Sequence, residues 1–210
     1  MSSGKPLAVG ELVGVLDRHA VDYVVIGGVA MQAHGHVRTT QDFDVIAAWT
    51  PQNTARLAGA LRELGAQLRG VDAQLLGIEL GDPAQLYNAG NLLMDTRYGD
   101  LDVFAVDEPS GAPGSYGDLH ARAVRVELGS LTLLVAHPED LIRMKTAASE
   151  FRDRPDAKRR QDREDIAVLE RLLGEERKRR AQAPSAGRSQ GPSASPSARL
   201  PPRRGRSLGR

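Results

Sequence analysis

Two aspartates, Asp42 and Asp44, stand one residue apart in an apolar segment that the sequence predicts to be a β-strand. Because side chains alternate between the faces of a strand, both carboxylates point to one face and apolar residues point to the other. A third carboxylate, Asp102, lies in a later apolar strand, where Asp100 shares its face and is the alternative. Carboxylates are the ligands that Mg²⁺ prefers, so these residues predict a metal site.

A glycine pair, Gly27-Gly28, follows the apolar run Tyr23–Ile26 and precedes a short helix predicted at residues 29–34. Glycine lets a ligand approach the backbone closely, and the N–H groups that begin a helix favour anions. Phosphoryl and nucleotidyl transfer use metal ions that bridge and neutralise the phosphates. The glycines and the aspartates together therefore predict a site for a nucleotide and Mg²⁺.

Several helices and strands must position these residues. Apolar periodicity and capping residues predict helices at residues 7–20, 29–34, 51–64, 137–149 and around 166–173, with a short turn or helix at 82–87. Strands are predicted at residues 23–26, 42–47, 74–80, 91–97, 100–106, 124–128 and 131–136, with a loop at 107–117 and a charged connector at 152–160. This order indicates an α+β fold, with one domain at residues 1–175 and a helical closing element from about residue 137.

The composition restricts the kind of protein. The chain has 210 residues and lacks cysteine, which excludes disulfides and a thiol nucleophile. No apolar run is long enough to span a bilayer, and we expect a cytoplasmic protein without a membrane partner. Residues 176–210 are rich in Pro, Ser and Arg and are expected to form a disordered basic tail. We expect this tail to be a solvated, flexible extension. The alternative is that it attracts RNA by neutralising phosphates.

Four segments carry a resemblance to a known family. They are GGVAMQAHGHVRTTQDFDV, YGDLD, DLIRMK and RQDREDI, and the similarity runs through roughly residues 20–173. The chain resembles the nucleotidyltransferase superfamily related to DNA polymerase β. More narrowly, it is similar to bacterial abortive-infection and toxin–antitoxin nucleotidyltransferases. The resemblance implies a mixed β-sheet flanked by helices, a two-metal Mg²⁺ site and transfer of a nucleoside monophosphate from an NTP.

The resemblance also implies partners. In toxin relatives the acceptor is the 3′ end of tRNA, which predicts an RNA acceptor and a cognate antitoxin for this chain. Other branches modify small molecules such as aminoglycosides, or proteins, and these acceptors remain alternatives. A non-catalytic nucleotide-binding regulator is a further alternative.

The family's functional residues map onto this chain by motif. Catalysis and metal binding fall on Asp42, Asp44 and Asp102. Nucleotide contacts fall on Gly27, Gly28, Arg38, Thr40, Lys145 and Asp162. Asp165 shares a helix face with Asp162 and is its alternative. Many relatives have Gly-Ser where this chain has Gly27-Gly28, so one hydroxyl donor to phosphate is missing. His34 and His36 are expected to line the site or pack rather than bind the metal.

Overall fold

The computed structural model describes residues 5–70, 77–87, 89–106 and 115–182. The helices in these ranges are α1 (Val9–Arg18), α2 (Gly27–Ala33), α3 (Pro51–Leu64), α4 (Pro83–Tyr87), α5 (Tyr116–Arg122), α6 (Pro138–Glu150) and α7 (Asp156–Gln182). The strands are β1 (Tyr23–Val25), β2 (Asp42–Ala47), β3 (Gln67–Leu68), β4 (Leu92–Thr96), β5 (Gly99–Phe104), β6 (Val124–Leu128) and β7 (Leu131–Val135).

The strands form one mixed sheet in the order β3-β4-β5-β2-β1-β7-β6. β2 runs parallel to β5 and β1 runs parallel to β7, while the other neighbouring strands are antiparallel. The predicted fold class, a mixed sheet flanked by helices with a helical C-terminal part, is confirmed. Parallel pairing of β2 with β5 sets Asp42 opposite Asp100 and Asp44 opposite Asp102. Residues in register share a face, so four carboxylates lie together at the centre of the sheet.

Helix α3 illustrates how local sequence fixes the boundaries of an element. Thr50 caps its first turn by accepting a hydrogen bond from the Asn53 N–H, and Pro51 occupies the position where a missing N–H costs nothing. Gly65 ends the helix in the left-handed conformation, at φ +62°. The apolar face of α3, including Leu57 and Leu61, is fully buried in the core. Both predicted ends of this helix are confirmed.

Three predicted elements differ from the structure. The glycine pair is not a turn before the helix, because α2 already begins at Gly27. Residues 77–80 form no strand and residues 74–76 lie outside the described residues, whereas the two-residue β3 went unpredicted. Helix α5 begins within the predicted loop 107–117, because Ser115 caps its first turn by accepting from the Asp118 N–H. The rest of that loop, residues 107–114, is outside the described ranges.

The C-terminal helices also extend beyond their predicted limits. Helix α7 begins at Asp156, inside the predicted connector, and continues to Gln182, past the predicted domain end at residue 175. Residues 183–210, most of the predicted tail, are not among the described residues. Helix α7 packs along α6, and its buried positions include Asp162, Asp165 and Leu169. Within the described ranges, no helix has both the length and the apolar character that crossing a membrane requires.

Candidate active site

The structure brings together the three aspartates predicted as metal ligands. One carboxylate oxygen from each of Asp42, Asp44 and Asp102 lies within 4.8 Å of the other two. The i, i+2 spacing on β2 supplies the first two, and the parallel register with β5 supplies the third. Asp102 is only 6% exposed, while Asp42 and Asp44 are half-buried. Three hard oxygen donors at this spacing match what Mg²⁺ requires of a protein.

The electrostatics of this aspartate triad (Asp42, Asp44 and Asp102) also favour a cation. Burial and the charges of the other two aspartates raise the pKa of Asp44 to about 7, against the opposing effects of Lys145 and the Gly28 N–H. Burial likewise raises the pKa of Asp102 to about 6, with the Arg69 guanidinium acting in the opposite direction. Carboxylates held this close repel one another, and a divalent ion among them would relieve that repulsion.

The two glycines of α2 lie directly against the triad. A Cβ atom on Gly27 would stand 1.9 Å from Oδ2 of Asp44, and a Cβ on Gly28 would stand 2.2 Å from Oγ1 of Thr40. Gly27 also has φ +64°, a conformation that residues with side chains rarely adopt. The Gly28 N–H donates a hydrogen bond to the Asp44 carboxylate. The glycines therefore let the start of α2 touch β2 beside the aspartates.

Thr40, predicted to contact the nucleotide, lies beside Asp42. Its hydroxyl donates to Oδ1 of Asp42 over 2.9 Å. This bond fixes the rotamer of Asp42, so Thr40 orients a carboxylate of the triad in this structure.

Basic side chains converge on the buried carboxylate of Asp165. Lys145 Nζ lies 2.6 Å from Asp165 Oδ2, and the nearest Arg38 nitrogen lies 3.3 Å from the same oxygen. His36 Nε2 is 3.5 Å from Asp165 Oδ1. Asp165 is completely buried, which makes its ion pairs with Lys145 and Arg38 strong constraints on where those cations lie.

Asp162, predicted to contact the nucleotide, lies farther from Lys145 than its alternative Asp165 does. Its Oδ1 is 3.5 Å from Lys145 Nζ, and its Oδ2 accepts from Nε of Arg154 at 2.5 Å. The i, i+3 spacing in the sequence predicts that both aspartates share one face of α7. In the structure this face contacts Lys145 of α6. Only the structure reveals that Asp165 has the shorter contact with Lys145 and also pairs with Arg38.

Sequence patterns did not indicate Arg69, at the end of β3. Its Nη1 donates to Oδ2 of Asp100 over 2.7 Å, and its Nη2 donates to Oδ1 of Asp102. Burial lowers the pKa of Arg69, but the two carboxylates outweigh it and leave the pKa raised. Asp100 is 1% exposed and does not belong to the close group of three carboxylates found among the described residues. The geometry thus favours Asp102 over Asp100 as the third ligand.

His34 lies farther from the triad. Its Nε2 is 2.9 Å from the carbonyl oxygen of Ala136. Burial lowers its pKa, an effect that this carbonyl partly offsets. The ring thus lies against the end of β7.

No protein-family model matches the chain, and no curated protein matches its sequence. The crystal structure of ANT(2″)-Ia in complex with adenylyl-2″-tobramycin is similar at 16% identity and a TM-score of 0.49, covering 82% of this chain and 96% of that chain. The solution structure of the antibiotic-resistance factor ANT(2″)-Ia gives 15% identity and a TM-score of 0.47, covering 82% of this chain and 91% of that one. Similarity at this level assigns no activity, so the chemistry of the site has to carry the assignment.

Proposed function

We propose that this chain is a Mg²⁺-dependent nucleotidyltransferase, which transfers a nucleoside monophosphate from an NTP to a hydroxyl group of an acceptor. The observation that carries this proposal is the triad of Asp42, Asp44 and Asp102, placed against the glycine backbone at the start of α2. If the three aspartates served only to stabilise the fold, the helix beside them would not need glycines that let it approach a carboxylate this closely. A site that admits phosphates beside a metal does need that room.

In the reaction, the acceptor hydroxyl loses its proton to solvent, its oxygen bonds to the α-phosphorus, and the bond from the α-phosphorus to the oxygen that bridges it to the β-phosphate breaks, releasing pyrophosphate. The three aspartates would hold Mg²⁺, which when bound supplies neutralisation of the phosphate charge and activation of the attacking hydroxyl. Lys145 and Arg38 would bind the triphosphate as fixed cations. Asp165 keeps them in place, so their orientation exists before the substrate arrives.

The acceptor is expected to approach from the β4 side of the triad, away from Lys145 and Arg38. There Asp95 stands opposite Asp100, and the guanidinium of Arg69 lies near both. An RNA strand would bring its phosphates towards Asp95, whose side chain is 38% exposed, whereas Asp100 is buried against Arg69. We therefore favour a neutral or cationic small molecule that carries hydroxyl groups as the acceptor, a class that includes aminoglycosides.

An RNA acceptor is the second candidate, favoured by a different surface. The last turns of α7 present four consecutive exposed cations, Arg177, Lys178, Arg179 and Arg180. Such a cluster attracts nucleic-acid phosphates. Transfer to the 3′ end of tRNA, toxin activity and a cognate antitoxin would all belong to this second candidate.

Labelled NTPs test both candidates and the chemistry they share. The purified protein is incubated with Mg²⁺ and each α-labelled NTP, with either total tRNA or a panel of aminoglycosides as acceptor. Label in the small-molecule fraction supports the first candidate, and label in RNA supports the second. Absence of transfer to any acceptor, including protein, contradicts the enzyme and leaves the nucleotide-binding regulator, which calorimetry with NTP would detect.

Two variants make this assay specific for the site. Asp42→Asn removes a metal ligand and should abolish transfer. Arg56→Gln is the control. Arg56 lies on α3, pairs with Asp22 and touches none of the three aspartates. Equal transfer by wild type and Asp42→Asn would mean that the label is moved by a contaminant.

A further inference from the structure

Two neighbouring carboxylates of β5 share one cation. Asp100 and Asp102 are two residues apart on the strand, so they point to the same face and repel each other. Arg69 lies between them, with Nη1 on Asp100 at 2.7 Å and Nη2 on Asp102. A guanidinium can bridge two acceptors because its donors form a planar fork.

The position of Arg69 is set by its backbone. Its N–H donates to the carbonyl oxygen of Leu93 on β4 over 2.8 Å, which anchors the residue to the strand next to β5. Its side chain is 17% exposed, and its Nε lies 4.0 Å from Oδ1 of Asp95. The guanidinium therefore lies among three carboxylates, of which only Asp102 belongs to the triad.

Two cations can thus compete for the Asp102 carboxylate: Arg69 and a metal ion bound by the triad. Oδ1 of Asp102 pairs with Arg69, yet an oxygen of the same carboxylate lies within 4.8 Å of those from Asp42 and Asp44. A cation bound among the three aspartates would compete with Arg69 for this carboxylate and would repel the guanidinium. Asp100 and Asp95 remain as partners for Arg69 on the side away from the triad.

We propose that Arg69 is a displaceable counter-ion for the metal site: it holds Asp102 in the metal-free protein and shifts towards Asp100 and Asp95 when a divalent ion takes that carboxylate. Arg69 is then a positioning residue, since it acts through Asp102. It keeps the Asp102 carboxylate oriented when no metal is bound, and it lowers the affinity of the site for metal. The inference rests on the proposed function only in treating Asp102 as a metal ligand.

Metal binding without nucleotide tests this exchange directly. Mn²⁺ is titrated into wild type, Arg69→Gln, Arg69→Lys and the control Arg56→Gln, at about pH 8.5 so that protons do not compete, with free Mn²⁺ followed by electron paramagnetic resonance. Removing one positive charge beside the ion should tighten Mn²⁺ binding by Arg69→Gln roughly tenfold. Arg69→Lys keeps the charge but cannot bridge, so its affinity should lie between those of wild type and Arg69→Gln.

Thermal unfolding supplies a second readout. If the ion pair were purely structural, Mn²⁺ would not change the difference in melting temperature between Arg69→Gln and wild type. Arg69→Gln should melt below wild type in chelator, because Asp100 and Asp102 lose their cation. Saturating Mn²⁺ should reduce that gap, since the ion replaces the cation at Asp102. Mn²⁺ binding by Arg69→Gln that is equal to or weaker than wild type, or a gap that Mn²⁺ leaves unchanged, overturns the proposal. Tighter Mn²⁺ binding without any nucleotidyl transfer would instead contradict the proposed function alone.

Discussion

Gly27 and Asp44 are so close that a single added carbon could not fit between them: a Cβ on Gly27 would lie 1.9 Å from the Asp44 carboxylate oxygen Oδ2. The backbone N–H of Gly28 donates to the same carboxylate. The first turn of α2 and Asp44 are thus packed as one unit. A change at either glycine acts on the metal site without altering any of its ligands.

We expect Gly27→Ala to reduce nucleotidyl transfer at least a hundredfold, because the new methyl group must push the Asp44 carboxylate out of the triad. The variant should also bind Mn²⁺ more weakly than wild type. Steady-state transfer and metal titration measure both effects.

The control for this variant is Gly129→Ala, in the turn between β6 and β7. Gly129 has nearly the same φ, +62°, but an added Cβ would meet nothing within 4 Å. This substitution should lower stability by about 1 kcal/mol through backbone strain and leave transfer unchanged. Equal losses of activity in the two variants would show that strain, rather than contact with Asp44, limits the Gly27 substitution.

The two acids of β5 should respond differently to loss of charge. Asp102→Asn removes a ligand of the triad and should reduce transfer by three orders of magnitude or more, whereas Asp100→Asn should retain most activity because its partner is Arg69. Parallel kinetics at saturating Mg²⁺ compare them. A larger loss in Asp100→Asn would assign the third ligand to Asp100 instead.

Local sequence predicted those parts of the site that depend on neighbouring residues. Alternation along β2 aligned Asp42 with Asp44, and the Thr50-Pro51 and Gly65 signals bounded α3. The pairing of β2 with β5, which brings Asp102 to them, joins strands 58 residues apart in register. No local pattern encodes that pairing: the apolar residues around Asp102 marked it as a candidate, with Asp100 as the alternative, and the resemblance to a family then assigned the role to Asp102.

What local sequence did not predict depends on long-range contacts. Arg69 is a single arginine in an unremarkable segment, and its partner Asp102 is 33 residues away. Asp162 and Asp165 look equivalent on a helix face, and only the position of Lys145 on α6 separates them. The start of α2 at Gly27 also depends on a long-range contact, because Gly27 lies against Asp44. The low helix propensity of glycine would not predict a helix that begins there.

The raised pKa of Asp44 predicts an unusual dependence of stability on pH. Its pKa rises from 3.8 to about 7 on folding, so the folded state binds this proton more tightly than the unfolded state. That contribution to stability is fully present below the unfolded value and is lost as the pH rises through about 7. In chelator, we therefore expect the melting temperature to fall between about pH 4 and pH 7.

Asp44→Asn removes this titration and provides the test. At pH 8 without metal, the variant should melt several degrees above wild type, since about 1 kcal/mol corresponds to roughly 2–4 °C in a domain of this size. It should nevertheless be inactive. Mg²⁺ should raise the melting temperature of wild type much more than that of Asp44→Asn. A variant that melts below wild type at pH 8 would contradict the repulsion among the three carboxylates.

The two aspartates of α7 provide the last prediction. Asp165 holds Lys145 at 2.6 Å and Arg38 at 3.3 Å, whereas Asp162 is 3.5 Å from Lys145. Asp165→Asn should therefore raise the Kd for NTP about tenfold or more, the equivalent of one lost charge-assisted contact of about 1.4 kcal/mol. Asp162→Asn should have a smaller effect, because Lys145 keeps its nearer partner.

Stability separates positioning from folding in this pair. Removing the fully buried Asp165 charge leaves its cations without their anion, which should cost about 3–5 kcal/mol of unfolding free energy. In Lys145→Gln, Asp165 is still charged and still pairs with Arg38. This variant should therefore weaken NTP binding while losing less stability than Asp165→Asn. Calorimetry with a non-hydrolysable NTP and urea unfolding measure the two quantities. If Lys145→Gln bound NTP as tightly as wild type, the Asp165–Lys145 pair would serve only to join α6 to α7, and the triphosphate would have to be bound by Arg38 and the start of α2.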